Sequence, residues 1–351
     1  MILLLLLALQ VNPELAQHVN AGLKAQKAGD LPAAIREFQK VVQLAPTLAA
    51  AHVNLGSVYY QSKDYQNAVP SLRRALELNS NLPGAHEMLG ASLLAQGWPA
   101  EAIPHLESAG STDLLGVALL EAGREREAIE RLEAALTKRP NDEDLLYYLS
   151  HAHQRLAKRL AERLLTESPD SAKAHQLIGE AQAEAGNRDA AIAAFRAALA
   201  TRPELRGVHY ALGELFLESG DSTSAEREFR AEVKLAPGSG AAAFKLGATL
   251  FQNGQTAAAL QELERAEKLA PGMPETLLEL GRAQAATGSS AAAEKLFLQV
   301  LAQERESALA ESAHFQLAQL YRSTGRAAEA EKEMNAFRRI RQERRKSLTS
   351  K

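Results

Sequence analysis

Apolar residues recur along this chain every three or four positions, in paired stretches separated by short polar turns, which predicts amphipathic helices arranged as hairpins. The stripe Leu145, Leu149, Ala152, Leu156, Leu160 and Leu164 is one example. The pattern also repeats on a longer scale. Asn54-Leu55-Gly56 and Met88-Leu89-Gly90 lie 34 residues apart, as do Ala211-Leu212-Gly213, Lys245-Leu246-Gly247 and Glu279-Leu280-Gly281 in turn. Gly22 and Gly179 extend the two series at the same interval. Twelve residues after each glycine stands a small residue: Ala34, Ala68, Ala102, Ala128, Ala191, Ala225, Ala259 or Ala293. Four further on comes a large apolar one: Phe38, Leu72, Leu106, Leu132, Phe195, Phe229, Leu263 or Phe297. A proline often closes the unit, as at Pro46, Pro140, Pro203, Pro237 and Pro271. No such unit can bury its apolar face alone, so neighbouring units must stack.

Sixteen of the 22 glycines fall into two slots. Eight lie inside the first helix of a unit, where glycine costs about 1 kcal/mol against alanine and needs a packing reason. Another eight end that helix, where a left-handed backbone suits glycine. Asp30 and Asp221 follow directly and are expected to cap the second helix.

These Leu-Gly, Ala, Phe and Pro positions resemble the tetratricopeptide repeat (TPR) family over residues 13–337, in about ten units. The resemblance implies an all-α, right-handed superhelical solenoid. Residues 1–12 then form an apolar N-terminal segment and 338–351 a basic C-terminal cap or tail.

The period fails between residues 109 and 169. Gly90 to Gly116 is eight residues short, so the fourth unit should have a truncated first helix, capped by Ser111 or Thr112. The fifth unit lacks its glycine turn. Either Gln154 to Lys158 makes a cramped turn or the two helices fuse; the turn is expected, because fusion would deprive adjacent units of their stacking surfaces. The last unit carries three extra residues around Glu306 to Leu309.

Composition supports this architecture. Alanine (67) and leucine (55) dominate the 351 residues, which favours helices over sheet. The absence of cysteine excludes disulfides, thiolate catalysis and cysteine-ligated zinc. A net charge of -3 gives no reason to expect nucleic acid as the main partner. The tail from Arg338 to Lys351 is nonetheless +6 against -9 for the remainder. It reads as a polar cap on the stack, with contact to an anionic membrane surface or nucleic acid as the second reading.

Met1 to Leu9 is entirely apolar but too short to span a membrane. Its length suits the core of a secretory signal, although no basic residue precedes it and Ala8-Leu9-Gln10 is a poor cleavage site. A start codon placed too late would explain this and make the protein exported or periplasmic. Otherwise the segment leads into the first helix of a cytoplasmic protein.

No HExxH, G-x-S-x-G or Walker sequence is present, and no cofactor or metal site is expected. Six histidines (His18, His52, His86, His175, His209 and His314) share the fourth position of the first helix and read as structural. His151 and His153 point to different faces, and His105 reads as isolated. Trp98 beside Pro99 is a weaker anchor candidate.

The family resemblance places a concave groove on the second, fifth, ninth, twelfth and thirteenth positions of each first helix. Here these include Val53, Ser57 and Tyr60 in the second unit, and Tyr147, His151, Gln154 and Arg155 in the fifth. Gln176, Glu180, Tyr210, Glu214, Phe244 and Phe251 follow in the sixth to eighth, and Phe315, Gln319 and Arg322 in the tenth. Asn20 and Asn54 match part of the carboxylate-clamp pattern known in the family, but Val19, Leu23, Val53 and Ser57 do not. The expectation is a non-catalytic scaffold that holds a partner peptide or helix in this groove. The alternative is a recognition or assembly subunit of an enzyme or envelope complex.

Overall fold

The computed structural model describes residues 13–349; the apolar segment 1–12 and the last two residues of the tail lie outside the described residues. Among the described residues there are 19 helices and no strand. The chain falls into two compact units, one through Arg163 and one from Leu164.

In the first unit α1 (Pro13–Lys27) packs on α2 (Leu31–Leu44), and α3 (Ala49–Gln61) on α4 (Tyr65–Leu78). The next pairs are α5 (Pro83–Ala95) with α6 (Pro99–Ala109) and α7 (Thr112–Glu121) with α8 (Glu125–Lys138). The long α9 (Glu143–Glu167) begins in this unit. The second unit continues with α10 (Ala172–Glu184) against α11 (Arg188–Thr201), α12 (Val208–Glu218) against α13 (Ser222–Leu235), and α14 (Gly240–Gln252) against α15 (Thr256–Leu269). It closes with α16 (Pro274–Ala286) against α17 (Ser290–Gln303), and α18 (Ala308–Ser323) against α19 (Ala327–Thr349).

Each hairpin but the last is closed by one repeated contact. The helix glycine faces the large residue sixteen positions on. A methyl group built on Gly22 would lie 2.8 Å from the Phe38 ring, one on Gly213 2.5 Å from Phe229, and one on Gly90 2.6 Å from Leu106. The receiving side chains Phe38, Phe195, Phe229 and Phe297 are fully buried, as are Leu72, Leu106 and Leu132. The turn between the helices needs a left-handed residue, with φ of +79° at Gly29. In the second hairpin Lys63 adopts this backbone at φ +57° without being glycine. Asp30 and Asp221 then cap α2 and α13 through the Ala33 and Ser224 amides, 3.0 Å each.

The irregular stretch differs from expectation in two places. α7 is indeed short, ten residues against thirteen in α3 and α5. Ser111 stands at its N-cap, but its hydroxyl donates to Glu87 Oε1 at 3.0 Å and caps no helix amide. The expected turn at Gln154 to Lys158 does not form: α9 is continuous over 25 residues. That stretch offers no residue that enters a left-handed turn cheaply, and Gln, Arg, Leu, Ala and Lys all favour helix. Among the described residues the chain consequently makes nine hairpins and one fused helix. The side chains that would have turned back reach the preceding repeat instead. Arg155 donates to the Leu120 carbonyl (3.0 Å) and Arg159 to that of Gly123 (2.9 Å). Both lie beside Glu125, which is only 2% exposed; Arg159 donates to it at 2.7 Å and Arg155 stands 3.5 Å away. A buried carboxylate is thereby paired, and carbonyls at the C-terminal end of α7 acquire donors.

In the final hairpin Tyr321 is buried, donates to Glu294 Oε1 (2.9 Å), and lies beneath the Arg326 guanidinium, 4.1 Å from the ring centre. Burial, then the Glu294 carboxylate, push its phenol up to about 12.

Two outcomes follow. Gly213→Ala drives a methyl into a buried ring and is expected to lower stability by about 2 kcal/mol. Gly84→Ala, with nothing within 4 Å of the new methyl, should raise it by a few tenths, up to about 1 kcal/mol. Denaturation followed by helical circular dichroism separates them, and equal responses would contradict the contact. The folded state also favours the neutral Tyr321 phenol, a contribution complete below the ordinary value of 10.0 and lost as pH rises through about 12. In a tyrosinate absorbance titration Tyr321→Phe should remove the highest-pH step; a high-pH step left intact would refute the assignment.

Candidate partner-binding groove

The first helices of three consecutive hairpins in the second unit, α12, α14 and α16, carry a continuous aromatic and charged surface. Phe244 and Phe251 are seven residues apart on α14, so both face the same side, about 10 Å apart. Both are half-buried. Two cavities meet at Phe244 and Lys245. One, of ≈ 560 Å³, runs past Leu217, Phe251, Glu279 and Arg282. The other, of ≈ 370 Å³, runs past Tyr210, Met273 and Thr276.

Two ion pairs lie on this surface, one between neighbouring helices and one within a helix. Lys245 Nζ lies 2.9 Å from Glu214 Oε1, joining α14 to α12. Arg282 Nη1 lies 2.7 Å from Glu279 Oε1, and its guanidinium covers the Phe251 ring at 5.4 Å. Tyr210 meets Phe229 edge-on at 5.7 Å, so it belongs partly to the hairpin core. Burial, then the Glu214 carboxylate, raise the Tyr210 phenol above its usual value, while Lys245 acts the other way. The result is an apolar floor whose rim carries these two ion pairs and the exposed Glu275 carboxylate. A larger cavity of ≈ 780 Å³ lies beside α13, but it is polar, and its Glu226 is already held by Arg230, Asn253 and Gln255 at 2.7 to 2.9 Å.

Of the residues expected in the groove, the structure gathers Tyr210, Glu214, Phe244 and Phe251 here. The others are dispersed or engaged. In the first unit Val53 and Ser57 are half-buried, and Tyr60 meets Tyr65 at 6.0 Å. Tyr147 is 65% exposed and stacks on His151 at 6.0 Å, with Gln154 exposed further along α9. Arg155 is taken by Leu120 and Glu125. In the second unit Gln176 donates to Glu180 at 2.8 Å, and Phe315 packs on Phe337 of α19 at 5.3 Å. Gln319 and Arg322 are exposed outside both cavities, and Trp98 of the first unit is 47% exposed.

Sequence reasoning passed over Lys245, Met273, Glu279 and Arg282. Arg282 follows Gly281 directly and so occupies the ninth position, the register of Glu214; extending the rule to the ninth unit finds it. Lys245 and Glu279 sit one position beyond the fifth, and the register alone does not mark them.

Four of the six shared histidines reach across their hairpin. His18, His209 and His314 bind the carboxylates of Glu37, Glu228 and Glu333, each nineteen residues on, at 2.6, 2.7 and 2.5 Å. His52 and His86 reach the carbonyls of Pro46 and Ser80. His105, expected to stand alone, meets His86 with 3.0 Å between their Nδ1 atoms. Burial, then His86 and Arg73, hold His105 below the ordinary imidazole value. Among the described residues no group of three or more His, Cys, Asp or Glu is placed to hold a metal ion. No described helix is long and apolar enough to cross a membrane.

Family models described as tetratricopeptide repeat match residues 148–205 and 210–274, 250–314, and 49–82, and one described as TPR repeat matches 27–63. Together they cover more than half of the chain. A search of curated proteins finds no match. Among solved structures, the chain is similar to MamA 41-end from Desulfovibrio magneticus RS-1 (19% identity, 49% of this chain and 96% of that one, TM-score 0.46). It is similar to YrrB, described as a TPR protein with an unusual peptide-binding site (18%, 54% and 96%, 0.48). It is also similar to the APC/C hetero-tetramer Cut9-Hcn1 (13%, 91% and 86%, 0.43).

A double-mutant cycle of Glu214→Gln and Lys245→Met should give a coupling of about 0.5 to 1 kcal/mol at low salt that shrinks as salt is added. Zero coupling at low salt would mean that α12 and α14 are not joined by this pair in solution.

Proposed function

The chain belongs to the tetratricopeptide repeat family, whose arrays are protein-interaction scaffolds, and from that premise we propose that the groove over α12, α14 and α16 holds a segment of a partner protein. The observation that carries this reading is the pair of adjoining cavities floored by Phe244 and flanked by Tyr210, Met273 and Phe251. Half-buried rings on rigid helices supply contact area with little ordering cost on the scaffold side. Lys245 and Arg282 already neutralise Glu214 and Glu279, which leaves the exposed Glu275 carboxylate as the net charge that the rim shows a partner. Selection then rests on apolar side chains. A peptide in the polyproline II conformation, which rises about 3.1 Å per residue and returns to the same face every three residues, crosses the roughly 10 Å between Phe244 and Phe251 in about three residues. The favoured ligand is therefore a segment with two large apolar side chains three residues apart, its backbone left to the polar rim.

Affinity capture with the wild type and a Tyr210→Ala, Phe244→Ala, Phe251→Ala triple variant, side by side, identifies the partner and tests the groove at once. The triple variant, checked for native helicity, should bind the captured segment at least tenfold more weakly. Unchanged affinity would sink the assignment, as would a loss caused by Trp98→Ala while the triple variant still binds.

A further inference from the structure

Four hairpins use the same device, a histidine at the fourth position of the first helix reaching a side chain nineteen residues on. In three the receiving group is glutamate, and the contacts of 2.5 to 2.7 Å are direct charge-assisted hydrogen bonds with no room for an ion between. In the third hairpin the receiving group is His105, and two imidazoles face each other, Nδ1 to Nδ1 at 3.0 Å. The rings are tilted by 32° with centres 5.2 Å apart, and both are half-buried, within reach of solvent.

The protonation pattern makes this pair unusual. His86 Nε2 lies 3.1 Å from the Ser80 carbonyl, which can only accept, so Nε2 carries the proton of the neutral ring. His86 Nδ1 therefore presents a lone pair towards His105. A carbonyl holding the outer N–H of an imidazole is the arrangement that orients metal-bound histidines elsewhere. The spacing agrees as well. With metal to nitrogen bonds of about 2.0 to 2.1 Å, two cis ligands stand about 2.9 Å apart at a right angle and about 3.3 Å apart in a tetrahedron. The 3.0 Å observed is that of an ordinary imidazole hydrogen bond, and it brings the two nitrogens to a separation that cis ligands of one ion also take once the rings turn; imidazole donors rank Cu²⁺ above Ni²⁺. Both ligands project from packed helices, α5 and α6, and the adjacent Arg73 is neutralised by Glu101 at 2.6 Å.

We propose that His86 and His105 form a two-imidazole site for a divalent transition cation, Cu²⁺ before Ni²⁺, with water completing the coordination. Binding moves the His105 proton from Nδ1 to Nε2 through solvent and releases none, and both Nδ1 lone pairs then bind the ion. The ion would staple α5 to α6 where other hairpins use a histidine and a glutamate.

The test uses the full chain, stripped of metal by a chelator and titrated with Cu²⁺ alone. His105→Glu installs the partner that three other hairpins carry, and His86→Phe places an aromatic ring in the same slot. The wild type should bind one Cu²⁺ with two equatorial nitrogens in its electron paramagnetic resonance spectrum, and its melting temperature should rise. Both variants should bind at least tenfold more weakly without that rise. Equal binding by wild type and His105→Glu would place copper on other histidines and overturn the proposal. A wild-type spectrum with fewer than two nitrogens would do so independently, whether or not a variant folds.

Discussion

The close approach of two helices at a single glycine is the contact on which each regular hairpin depends. At Gly22, Gly179, Gly213 and Gly281 the missing side chain is the space that a phenylalanine fills; at Gly56, Gly90, Gly116 and Gly247 a leucine fills it. Each glycine costs its helix about 1 kcal/mol, and each buried ring or leucine returns about 1.5 to 3 kcal/mol. The small residue twelve positions on is buried at the same crossing, as Ala34, Ala191 and Ala225 show. The alanine and leucine excess of the chain is the repeated trace of this one geometry.

The groove is a by-product of the same constraint. Because the glycine face of α12, α14 and α16 is committed to the partner helix of each hairpin, the fifth and twelfth positions are left with less cover, and Phe244 and Phe251 stand there half-buried. Tyr210 shows how narrow the division is, since its ring touches both the groove and Phe229 of the core.

Much of the fold could be read from the chain because its determinants are local. The 34-residue interval, the glycine slots and the aspartate caps at Asp30 and Asp221 each depend on neighbours in sequence. The fused α9 departs from the repeat for a physical reason: from Gln154 to Lys158 local helix preference prevails over the demand of neighbouring units for a stacking surface. Residue type suggests a cap at Ser111, but Glu87 of another helix takes its hydroxyl. The site was less legible. The register marks a face, and so reaches Tyr210 and Phe244. Lys245 and Glu279 join the groove only through the neighbouring helix or residue they pair with. The meeting of His86 and His105 lies beyond any single-helix pattern, because it joins two different slots of one hairpin.

The sixteen-residue span between each helix glycine and its filling side chain also bears on how the chain reaches its folded state. Contacts this short in sequence close small loops, and loop closure is what slows chains dominated by distant pairings. A hairpin of this kind can assemble as it leaves the ribosome, before the next repeat has been made. In α9, where Arg155 and Arg159 reach back about 35 residues to Leu120 and Gly123, assembly must instead wait for a longer stretch of chain.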